Sequence, residues 1–137
     1  MAVRKSLILI SLIISFISFG YNIYLYPYDF NLDYNFNEYF EVLIIETESL
    51  HEYNLLTGQP YSKAAVYIPD ENIIITEPFT ILKNLKIFRK TLIHELYHYY
   101  LTNFLKMNYQ YQEIYIKNLG FNMKRFYILI TLLFIIL

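Results

Sequence analysis

With 137 residues the chain has room for one small domain and little more. Its formal net charge of −1 argues against a nucleic-acid partner, and the absence of cysteine excludes disulfides and thiolate metal sites. Hydrophobic residues make up 56% of the chain, and the excess lies at the two ends, which points to a membrane.

The first predicted element is an export signal or anchor. Arg4 and Lys5 precede an uncharged run from Ser6 to Phe19, and Ser18 and Gly20 are small residues suited to a cleavage site. Uncleaved, the run continues through Tyr21, Ile23, Tyr24 and Leu25 to about 20 residues, enough to span a bilayer. Cleaved or not, the positive-inside rule places the residues after about 27 on the extracytoplasmic side. The expected division is a signal anchor or signal peptide over 1–25, a folded domain over 26–120 and an apolar, membrane-associated tail over 121–137.

Residues 26–37 alternate aromatic and polar groups around Pro27 and read as a linker or edge segment leaving the membrane surface. Residues 38–56 read as a helix with Asn37 as N-cap and Gly58 near the C′ position, against a competing strand over 42–45. His51 in that stretch reads as an exposed side chain. The segment 64–76 reads as a β-hairpin, two short apolar strands about the turn Pro69-Asp70-Glu71-Asn72. Residues 79–90 lead into the next helix, with Lys83, Lys86, Arg89 and Lys90 as a solvated face.

That helix carries the chemistry. His94-Glu95-Leu96-Tyr97-His98 is an H-E-x-x-H motif inside an apolar, helix-forming run. On a helix, residues four apart share a face, so both imidazoles can reach one metal ion, with Glu95 projecting beside it. The plain alternative is a helix with two ordinary polar histidines near the surface. Against it stands the apolar setting of Leu92, Ile93, Leu96, Tyr99 and Leu101, where three ionisable groups are costly to bury without a metal or partners. A third ligand at the metzincin offsets is excluded, because those positions are Leu101 and Phe104. Beyond His98 there is no Asp, His or Cys and one Glu, so Glu113 is the available ligand, brought level with His98 if the chain turns near Asn108 and returns as a helix. Its alternative is a solvated residue beside Lys117.

With Glu113 downstream, the motif resembles the gluzincin metallopeptidases. The hairpin feeding directly into Thr91-Leu92-Ile93-His94-Glu95 is similar to that of peptidase MA-like members and the very small minigluzincins, a likeness covering about residues 60–118. The resemblance implies an α+β fold: a small zincin-like domain with a short hairpin or sheet packed on the active-site helix. To this the apolar ends add an N-terminal membrane helix and an apolar C-terminal helix. It implies Zn2+ held by His94, His98 and Glu113, and Glu95 as general base and acid. It also implies a hairpin edge, over 64–67 or 73–76, that aligns an extended peptide or protein substrate. The chain departs from the pattern at Ile114 and Lys117, where members often carry a small residue and an Asp that orients a ligand histidine.

A hydrolase of this kind also needs a donor for the developing oxyanion, and the downstream candidates are Tyr109, Tyr111 and Tyr115. Gly120 marks a helix end, and Lys124-Arg125 precede a twelve-residue apolar run too short to cross a bilayer as a straight helix. The expected protein is thus a membrane-associated zinc metalloendopeptidase. The alternative is a small membrane protein with a structural or inactive metal site and no turnover.

Overall fold

Isoleucine-rich runs whose side chains alternate between two apolar layers build the sheet. A computed structural model describes residues 7, 10–14, 20–60 and 62–120, with strands β1 (Asn22–Tyr26), β2 (Val42–Glu46), β3 (Ala65–Ile68) and β4 (Ile73–Thr76). Their order is β1-β2-β4-β3: β2 and β4 are parallel, while both outer strands pair antiparallel. The inner strand β4 is buried at every position, so its run Ile73-Ile74-Ile75 is continuously apolar because both faces are covered. Val42, Ile44, Tyr67 and Ile74 belong to the larger core, whereas Ile45, Ile73 and Ile75 belong to a second cluster with Tyr53. This is the period of two expected of strand side chains.

Four helices complete the described domain, α1 (Leu50–Thr57), α2 (Phe79–Asn84), α3 (Phe88–Asn103) and α4 (Tyr109–Asn118), beside a helical stretch at 10–14. The helix α3 is buried at every residue from Thr91 to His98, which fits a segment with no consistently polar face. It packs on β3, on α4 and on the segment between β1 and β2. That segment is no linker. Tyr34 and Phe36 stack edge-on against Tyr97, Phe40 stacks on Tyr99, and Arg89 donates from Nε to the Leu32 carbonyl (2.7 Å) and from Nη2 to that of Asp33 (3.3 Å). Aromatic residues at alternate positions here cover one side of the motif helix, and Arg89 is drawn from the solvated face to hold them.

The expected fold needs correcting at its apolar ends. No helix among the described residues is long and apolar enough to cross a membrane. Ile23, Tyr24 and Leu25, which would complete the span, lie in β1, where their backbone pairs with β2 and Tyr24 OH donates to Glu46 Oε2 (2.9 Å). Leu12, from the helical stretch at 10–14, packs on the second face of the sheet beside Ile45 and Tyr53. The apolarity of the run thus serves a sheet edge and a core layer at these positions. The expected membrane-anchored, extracytoplasmic placement rested on that apolar run serving as a signal or anchor, and it loses its basis with the run. The expected C-terminal helix over 121–137 lies outside the described residues.

A second correction concerns 38–56. The competing strand prevails over 42–46, and the helix is confined to α1, started by Ser49, whose side chain accepts from the Glu52 N–H (3.1 Å), and stopped by Gly58 in the left-handed region at φ 66°. The β-branched pair Ile44 and Ile45 gains neighbours on both sides as β2 pairs with β1 and β4, which no lone helix there could supply. The entry to the motif helix is broken as well: α2 ends at Asn84 and Lys86 adopts φ 58° before α3 begins.

Candidate metal centre

The site is assembled where α3 and α4 lie side by side. Asn108 caps α4 through its side chain, which accepts from the Gln110 N–H (3.2 Å), and the returning helix carries Glu113 back to the level of the motif. Glu113 Oε1 lies 2.8 Å from His98 Nε2 and 3.3 Å from His94 Nε2, and the two Nε2 atoms are 3.2 Å apart. These three atoms form a group that could hold a metal ion. Metal–ligand bonds of about 2.0–2.2 Å arranged tetrahedrally have edges of about 3.3–3.6 Å, so the triangle is close to the face such an ion needs. Two imidazoles and one carboxylate also suit a borderline divalent cation. Both histidines are buried, whereas the Glu113 side chain is half exposed, which leaves the centre open on one side.

Glu95 lies beside the group without joining it. It is 5% exposed, and its Oε2 accepts from the backbone N–H of Tyr67 on β3 (2.8 Å). Burial pushes its carboxyl above the ordinary value, opposed by His94 and His98 and by the Tyr67 N–H. Glu113 moves the other way, held well below the usual carboxylate range by its close contacts with the ring nitrogens of His94 and His98. The two carboxylates therefore differ as the environments of a proton carrier and a permanent anion differ.

Of the two hairpin strands considered for an edge, β4 is internal and β3 is the edge. The N–H of Tyr67 on its outer side is taken by Glu95. The Tyr67 phenol in turn donates to Asn72 Oδ1, and Asn103 Nδ2 donates to the Tyr67 oxygen (3.1 Å), which ties the far end of α3 to the hairpin turn.

Among the three candidate tyrosines, Tyr109 stands against the site, its ring stacked on that of His98 with centroids 5.2 Å apart and planes 17° apart. Burial raises its phenol pKa, and the charges of Glu113 and Glu95 raise it further, so both carboxylates are within electrostatic reach. Tyr111 is 62% exposed on the outer side of the helix. One residue in contact with a ligand was missed in the sequence: Gln112, whose Oε1 lies 2.8 Å from His98 Nδ1. The resemblance expects an Asp at position 117, after Glu113, whereas the contact comes from the residue before Glu113. His51 is exposed and is not a member of this cluster.

Comparison with protein-family models, with curated proteins and with solved structures finds no match to this chain.

Proposed function

We propose that the protein is a zinc-dependent peptidase of the gluzincin kind, acting on a peptide or protein substrate. The observation that carries the reading is the convergence of His94 Nε2, His98 Nε2 and Glu113 Oε1 to within 3.3 Å of one another, with the Glu95 carboxyl buried alongside. A bound Zn2+ would supply Lewis acidity and bring the pKa of its water towards neutrality. Glu95 is the proton carrier: its raised affinity for a proton suits a group that receives one from the attacking water and delivers it to the leaving amine. Tyr109, kept protonated by burial and by two nearby carboxylates, offers a phenol donor to the oxygen on which charge develops. Glu113, anionic throughout, contributes fixed negative charge.

Zinc content per purified chain tests this directly. Wild-type protein should carry stoichiometric zinc, and His98→Ala and Glu113→Ala should each lose it. Glu95→Gln should keep the metal and lose cleavage of a mixed peptide library, by a factor on the order of 10² or more. Folded wild-type protein without zinc would sink the proposal.

A metal centre without turnover is the second reading, favoured by the hydrogen bond that already engages Glu95 with the Tyr67 N–H. Stoichiometric zinc with no cleavage in the wild type, and no change on Glu95→Gln, would select it.

A further inference from the structure

Gln112 is 1% exposed, and a buried primary amide must place two N–H groups and one carbonyl oxygen. Its contacts all lead towards α3 or the turn that follows it. Nε2 donates to Thr102 Oγ1 (3.0 Å) and to the Met107 carbonyl (2.9 Å), while Oε1 faces His98 Nδ1 at 2.8 Å.

The Met107 contact settles which way the amide points. A backbone carbonyl can only accept, so the group facing it is the NH2, and the group facing His98 is the carbonyl oxygen. That oxygen can likewise only accept, so Nδ1 of His98 bears the proton. In the neutral imidazole Nε2 then carries the lone pair.

This lone pair is aimed at Glu113 Oε1, 2.8 Å away. Two electron-rich atoms at that distance repel unless a cation, a proton or a metal ion, lies between them. The same amide bridges α3 and α4, so it sets the height of Glu113 relative to both histidines as well as the tautomer of one.

We propose that Gln112 is the positioning residue of this centre: it holds His98 in the Nδ1–H tautomer with Nε2 free to ligate, and it registers Glu113 against the histidine pair. As a neutral amide it orients the imidazole without adding negative charge to the site. The zinc-affinity part of the proposal rests on the peptidase reading, whereas the tautomer part stands independently of it.

The test combines nitrogen NMR of histidine-labelled, metal-free protein with zinc competition against a chelator. In wild-type protein His98 Nδ1 should bear a proton, held in the hydrogen bond to the Gln112 carbonyl oxygen. Gln112→Leu, checked for folding by its amide spectrum, should release His98 into a tautomer mixture and weaken zinc binding 10- to 100-fold. Thr102→Val, which removes one of the two Nε2 acceptors, should keep the tautomer and lose less affinity. Wild-type His98 without a proton at Nδ1 would overturn the proposal, as would a folded Gln112→Leu with an unchanged His98 spectrum and unchanged affinity. Should Gln112→Leu fail to fold, the wild-type spectrum alone decides. Wild-type protein that takes up no zinc yet holds Nδ1–H would remove the peptidase reading and leave the assignment of Gln112 intact.

Discussion

Tyr109 shows how one position on a helix separates three similar residues. Spacing places Tyr109 and Glu113 four apart, hence on one face of α4, and that face is turned to the histidines. Tyr111 falls on the opposite face, and Tyr115 lies near Tyr34 instead. If the phenol donates to a developing oxyanion, Tyr109→Phe should lower kcat by about 10²–10³ with KM little changed and zinc retained. Steady-state kinetics beside metal analysis checks this, and an unchanged kcat would remove Tyr109 from the mechanism. Because the ring also stacks on His98, phenylalanine is the informative replacement: it keeps the stack and removes only the hydroxyl.

At the scale of elements, the helix–strand competition over 38–56 was decided by partners far away in sequence. Val42 to Glu46 is apolar enough for either conformation, and the choice follows from β1 and β4 flanking it on both sides. Where the deciding signal was local, it was readable: Gly58 was placed at the end of a helix from its identity alone, and it adopts φ 66° with its N–H donated to the Asn54 carbonyl (2.8 Å). A Cβ built there meets nothing within 4 Å, so Gly58→Ala isolates the backbone penalty. The variant should lose about 1–2 kcal/mol, read as a lower urea midpoint at unchanged slope. A loss well above that range would mean that the residue does more than end α1.

For the molecule as a whole, the least comfortable group is Glu77, just past β4. It is buried, its Oε1 has no hydrogen-bond partner, and burial raises its pKa from 4.5 to about 8. Below pH 4.5 the carboxyl is protonated in both the folded and the unfolded chain, so it adds no pH dependence there. Between 4.5 and about 8 the unfolded chain gives up a proton that the folded chain keeps, and stability falls as pH rises; above about 8 the loss is complete. Glu77→Gln should therefore melt close to the wild type at pH 4.5 and progressively above it towards pH 8. Thermal melts at both pH values check this, and an equal offset at the two would show that the carboxyl does not titrate in that window.

The amino-acid sequence by itself determined the local features. The H-E-x-x-H pair on one helical face follows from a four-residue period, the hairpin turn at 69–72 from its turn-forming residues, and Glu113 as the available downstream acid from a plain absence of others. Tertiary structure decided everything that depends on what faces what. It put Ile23 to Leu25 in a sheet where apolarity alone suggested a membrane, wrapped residues 30–40 around α3, and joined Glu95 to the Tyr67 backbone and Gln112 to His98. The physical reason is that hydrophobicity records only that a side chain leaves water, while the partner that covers it, or the hydrogen bond that satisfies its neighbour, is set by chain segments tens of residues away.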